Sequence, residues 1–115
     1  MFERARALAA SADRPILRRP HVAAALSASL REASRQGGQG VADDLLLLTR
    51  PWTFRLDEIR VPVRLWHGEA DDMVPVAMGR YLARAIPNCR AEFIPGGGHY
   101  FVFDRIGPLL DGIMD

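Results

Sequence analysis

The sequence predicts an α/β fold, and three observations carry that expectation. A short apolar run, Val61 to Trp66 (VPVRLW), has the pattern of a buried strand, and Arg90 to Ile94 (RAEFI) reads as a second strand ended by a glycine loop. Between them Pro75 opens a segment in which Met78, Tyr81, Leu82, Ala85 and Ile86 recur on one helical face. Strand, helix and strand with short connections build two parallel strands joined by a right-handed crossover.

The remaining elements follow in order. The start, MFERARALAASADRP, has charges beside Met1 but no continuous apolar core of secretory length, so it reads as a short helix and not as a signal peptide. Pro20 to Arg35 reads as a helix with Pro20 in its first turn and Val22, Leu26 and Leu30 at helical spacing. Ser34 to Gly40 (SRQGGQG) is a loop that divides a helical part from an α/β part. Asp43 and Asp44 then stand ahead of Leu45 to Leu48, where acidic side chains favour the positive end of a helix dipole. Pro51 disfavours helical geometry at its predecessor, which stops that helix near Arg50. Pro87 and Asn88 close the crossover helix, Pro95 to Gly98 end the second strand, and Ile106, Leu109, Leu110 and Ile113 mark a final helix. No internal repeat occurs at a fixed period.

Composition narrows the function. At 115 residues the chain is one small domain, 49% apolar and 25% charged, which is the balance of an ordinary globular protein. A net charge of +1 gives no electrostatic reason to expect a nucleic-acid or membrane partner, and Leu45 to Leu48 is far too short to span a bilayer. All 15 basic residues are arginine, a bias expected of a bacterium with a GC-rich genome. Without a lysine, neither Schiff-base nor phosphate-loop lysine chemistry is available within this chain. The single cysteine, Cys89, cannot form an internal disulfide and reads as a small apolar residue beside a buried strand. The expected location is the cytoplasm. No two of the three histidines have close helical spacing and Cys89 is isolated, so no metal or other cofactor is expected.

Two loops leave the same edge of a parallel sheet, about 5 Å apart if the strands are neighbours, and that edge is where open α/β sheets bind ligands. The first is Gly68-Glu69-Ala70-Asp71-Asp72 and the second is Gly96-Gly97-Gly98-His99. Topology therefore brings an acid and a histidine together. An acid beside a histidine selects the imidazole tautomer and stabilises the imidazolium when the ring takes a proton. Three consecutive glycines let the backbone turn sharply and approach a ligand closely. Asp71 has a competing reading as a helix-capping acid ahead of Pro75, and Asp72 is its neighbour and rival. His67 reads as a structural hydrogen-bonding histidine and His21 as a surface residue. Trp52, Phe54 and Trp66 read as packing aromatics, Phe101 and Phe103 as the contact of the last helix with the sheet, and Glu69 as solvated.

These segments resemble the α/β-hydrolase family. PVRLWHGEADDMVP is similar to the family's pattern around its acid, P-V-x-x-x-x-G-x-x-D-x-x-V-P, which places the acid at Asp71, and FIPGGGHY resembles its histidine loop, which places the histidine at His99. The family's order is nucleophile, acid, histidine, and the 28 residues from Asp71 to His99 agree with it. The resemblance covers about residues 40 to 113. It implies a partial α/β-hydrolase fold in which residues 1–40 are a lid-like helical segment and 41–115 the C-terminal part of the core. It further implies hydrolysis of an ester, amide or similar bond in a small-molecule substrate, with His99 as general base and acid and Asp71 orienting it.

The chain departs from the family at the nucleophile. It contains no G-x-S-x-G, and Ser11, Ser27, Ser29 and Ser34 lack the glycine neighbours of a strand-to-helix elbow. The nucleophile, a serine or an aspartate, is expected in sequence outside this chain, and the chain alone is expected to be inactive. The alternative is a non-catalytic association module derived from a hydrolase. A sheet of two strands leaves an apolar edge unpaired, so self-association is expected.

Overall fold

The computed structural model describes residues 11–114. Residues 1–10, read above as most of a short helix, and the side chain of Ile113 lie outside the described part. The described elements are α1 (Arg14–Leu17), α2 (Pro20–Ala33), α3 (Gln39–Leu48), a 3-10 turn (Leu56–Glu58), β1 (Val63–Gly68), α4 (Val76–Ala85), β2 (Cys89–Ile94) and α5 (Val102–Met114). The two strands pair in parallel, with Val63 opposite Cys89 and Gly68 opposite Ile94. The fold class is α/β, as the strand–helix–strand pattern predicts. Among the described residues β1 and β2 form a two-stranded sheet, so each has one edge with no strand beside it.

Proline sets several boundaries. Pro15 and Pro20 stand in the first turns of α1 and α2, where a missing N–H costs nothing. Pro62 delays β1 to Val63, two residues after the apolar run begins, and the first ladder bond runs from the Val63 N–H to the Asn88 carbonyl at 3.0 Å. Pro75 is the N-cap residue of α4, not its first helical one. Pro108 lies inside α5, which nonetheless continues to Met114.

Three expectations about faces and boundaries are corrected. Helix α3 starts at Gln39, inside the expected loop, so Asp43 and Asp44 sit within the helix and not ahead of it. Gly37, at φ 87°, makes the turn, and the Gln39 amide donates to the Asp43 carboxylate one turn on at 2.8 Å, which supports the earlier start. On α2, Val22 is fully buried but Leu30 is exposed, so the apolar stripe is covered only at its beginning. On α4, Gly79 faces inward, as does Ile86 just past the helix end, while Met78 and Tyr81 are more than half exposed. The reason is Gly79: a Cβ there would lie 2.6 Å from His67 Nδ1, so the helix rests on the histidine ring along its glycine.

The aromatic residues also differ from expectation. Trp52 and Phe54 stack on each other at 5.3 Å between ring centres but remain exposed, and so do not pack a core. Phe103 stacks on Tyr100 at 6.4 Å, which assigns it to the histidine loop. Cys89, half-buried, is the first residue of β2. Among the described residues the buried side chains are Ile16, Leu17, Val22, Ile86 and Ile94, together with one carboxylate, Asp13. No described helix is long and apolar enough to cross a membrane.

Candidate active site

The parallel register ends both strands at one level, so the loops after Gly68 and Ile94 start side by side. They are stitched by backbone hydrogen bonds: the Glu69 N–H donates to the Ile94 carbonyl at 3.0 Å and the Ala70 N–H to the Gly97 carbonyl at 2.8 Å. Asp71 follows on the first loop and His99 on the second.

The Asp71 carboxylate divides its two oxygens between two tasks. Oδ1 accepts the N–H groups of Met73 (2.9 Å) and Val74 (2.8 Å), closing a tight turn ahead of α4. Oδ2 lies 2.9 Å from His99 Nδ1. Turn-capping and histidine-orienting roles are thus combined in one side chain. Burial pushes the Asp71 carboxyl up, but the Val74 N–H, the His99 imidazole and the Met73 N–H outweigh it and hold it below its usual pKa. An ionised carboxylate only accepts, so the His99 proton sits on Nδ1 and the Nε2 lone pair points away from the pair. Asp72 is exposed, and Asp71 is the acid that meets the histidine. Glu69 is exposed as expected, but pairs with Arg80 at 3.2 Å.

No family model matches the chain. Among curated proteins it is 37% identical over 84 residues to the pimeloyl-[acyl-carrier protein] methyl ester esterase of Aromatoleum aromaticum, a match covering 71% of this chain and 33% of the esterase. It is 31% identical over 90 residues to a putative non-heme chloroperoxidase of Synechocystis sp., covering 75% of this chain and 33% of that protein. It is 32% identical over 60 residues to the human monoacylglycerol lipase ABHD6, covering 52% of this chain and 18% of the lipase. All three are α/β-hydrolases. The chain belongs to the α/β-hydrolase family. It spans about a third or less of the length of these relatives.

Within this α/β-hydrolase chain, further side chains meet the loops. His67, at the end of β1, hydrogen-bonds through Nε2 to the Val74 carbonyl at 2.9 Å, consistent with a structural histidine. That bond spans the Asp71 turn, and the same nitrogen lies 3.9 Å from Asp71 Oδ2. His21 is exposed on α2. The glycine run serves the protein's own packing. Gly96 makes the turn at φ 70°, and a Cβ on Gly98 would lie 2.2 Å from an oxygen of Asp13. The close approach expected for a ligand is therefore an approach to a buried side chain.

Sequence reasoning missed Asp13. Its carboxylate is 1% exposed; Oδ2 accepts the His99 N–H at 2.9 Å and Oδ1 the Tyr100 N–H at 2.8 Å. Asp13 precedes α1 and locally reads as a helix cap, and no pattern in the chain signals a contact 86 residues away. Tyr100, next in the chain after His99, also meets the site. Its ring meets His99 edge-on at 5.2 Å, and burial, then the charges of Asp13 and Asp71, push its phenol above the usual pKa. Among the described residues no cluster of three or more histidine, cysteine or acidic side chains could hold a metal ion.

Proposed function

We propose that this chain supplies the acid and histidine of a hydrolase that cleaves an ester, or a related amide-type bond, in a small molecule. The observation that carries the reading is the Asp71 Oδ2 to His99 Nδ1 contact of 2.9 Å at the carboxyl edge of a parallel sheet. With Nδ1 engaged by the carboxylate, Nε2 is the basic nitrogen. It takes the proton of an attacking hydroxyl and later returns it to the leaving group, while Asp71 stabilises the intervening imidazolium. The ester is favoured as substrate by the similarity to a methyl ester esterase.

In this reading residues 1–40 are the lid-side segment, 41–115 belong to the catalytic core, and the nucleophile comes from sequence other than these 115 residues, since the chain holds no G-x-S-x-G. An aspartate nucleophile would turn the reaction from acyl to alkyl transfer with the same acid–histidine pair. The test is to read the DNA upstream of the Met1 codon. An in-frame strand, G-x-S-x-G and helix is the expected result, and a stop codon with no such segment nearby sinks the single-chain hydrolase. Purified alone, the chain is expected to hydrolyse a p-nitrophenyl ester no faster than the blank. Turnover that His99→Ala abolishes would show that the nucleophile is within it.

A second reading rests on a different observation. Among the described residues both strands have an unpaired edge, and Leu45 to Leu48, Trp52, Met78 and Tyr81 are all more than half exposed. Such surfaces invite another chain, and an association module would use them. Light scattering separates the readings: a defined dimer with no hydrolase gene upstream supports the module, and a concentration-independent monomer counts against it.

A further inference from the structure

Asp13 is a buried carboxylate outside the acid–histidine pair, and burying a carboxylate is costly unless its oxygens are hydrogen-bonded. Asp13 stands at the N-cap position of α1, the place where aspartate usually accepts N–H groups of its own helix, yet its side chain makes no such bond. Both oxygens instead reach across the molecule, one to the backbone N–H of His99 and one to that of Tyr100. Gly98 is shaped to the contact, because any side chain there would occupy the carboxylate's position. Two consecutive N–H groups held by one carboxylate fix the two peptide planes on either side of the His99 Cα, and with them the direction in which its side chain leaves the backbone toward Asp71.

We propose that Asp13 is a positioning residue for His99: its carboxylate clamps the His99 and Tyr100 backbone N–H groups and so sets the Nδ1 hydrogen bond to Asp71. The proposal rests on the reading of His99 as general base, and makes seating of the helical segment around α1 a condition for a formed pair. A second contact between the same regions, the surface ion pair of Arg19 with Asp104, is too exposed to orient the histidine.

The test is nuclear magnetic resonance on the full 115-residue chain, following amide hydrogen exchange and the His99 Nδ1 proton. In the wild type the His99 and Tyr100 amides are expected to be protected and the Nδ1 proton visible. Asp13→Asn keeps the side chain's shape but puts an NH2 group against one N–H. Loss of a charge-assisted bond should speed exchange at those two amides by roughly ten- to a hundredfold, leave β1 and β2 protected, and broaden the Nδ1 signal. Gly98→Ala, which displaces the carboxylate without altering it, should reproduce both effects, and carries the test if Asp13→Asn fails to fold. Faster amide exchange with an unchanged Nδ1 signal overturns the proposal and leaves the acid–histidine reading intact. Unprotected His99 and Tyr100 amides in the wild type also overturn it. A missing Nδ1 signal in the wild type, despite protected amides, means that the acid–histidine reading itself has failed.

Discussion

The edge of the sheet that carries Asp71 and His99 and the flank formed by α3, the Trp52 segment and α4 are built on opposite terms. At the edge, polar groups are saturated by one another: Asp71 accepts from Met73 and Val74 and meets His99, His67 bonds the Val74 carbonyl, and Asp13 accepts from His99 and Tyr100. On the flank, apolar side chains lie open, from Leu48 at 74% exposure to Trp52 at 53%. Backbone bonds and short side chains of this chain hold the first region together. In the second, no described residue covers the apolar side chains of the helices. The site's geometry thus does not depend on the flank being covered, whereas solubility does.

Breaking the loop junction should have the largest effect. A Cβ on Gly68 would lie 2.2 Å from the Gly97 carbonyl oxygen, a backbone atom that cannot step aside. Gly68→Ala is expected to lower stability by about 3 kcal/mol, the upper end of overpacking costs, measured by urea denaturation. An unchanged midpoint would mean that the two loops are not in contact.

The acid itself comes next. Asp71→Asn removes a charge-assisted bond and should cost about 2 kcal/mol. It should also change the acid limb of the stability curve. The folded Asp71 carboxyl is held below its usual pKa, so its contribution is complete above the unfolded value of about 4 and is lost as pH falls through the folded value. Thermal melts between about pH 2 and pH 6 should therefore show a shallower acid-side decline in the variant than in the wild type. Parallel declines would remove Asp71 from the list of depressed carboxylates.

The flank should respond least in stability and most in association. Met78→Gln and Trp52→Ser are each expected to shift the folding free energy by no more than about 0.5 kcal/mol. Together they should reduce any concentration-dependent light scattering. A loss of several degrees in Tm would show that these side chains are covered within the monomer.

Much of the candidate site is legible in the sequence because its logic is local. Apolar runs of strand length, prolines at boundaries and glycines before a histidine each report on a few neighbouring residues. Parallel topology then converts two local readings into one place, which is how Asp71 and His99 could be paired over 28 residues. Three features were hidden for a common reason. The inward face of α4 is decided by Gly79 against His67, the start of α3 by a glycine turn and a Gln39–Asp43 pair, and the environment of Gly98 by Asp13. The first and the last depend on which residue lies opposite and the second on a local polar pair, and hydrophobic periodicity carries no information about either. Asp13 is the extreme case, since the same residue in the same local sequence would serve equally well as an ordinary helix cap.

The 86-residue separation of Asp13 from His99 also has a kinetic meaning. Paired positions of β1 and β2 are 26 residues apart, as at Trp66 and Glu92. Loop-closure entropy grows with the logarithm of length, so joining Asp13 to the histidine loop costs about 1 kcal/mol more than joining the strands when each starts from an open chain. The carboxylate must also shed its water at that step. The expected order of assembly is strands and crossover helix first, α1 and its aspartate afterwards. In a refolding experiment the sheet should become protected while the histidine ring still samples many orientations, and the acid–histidine pair should be the last part of the molecule to fall into place.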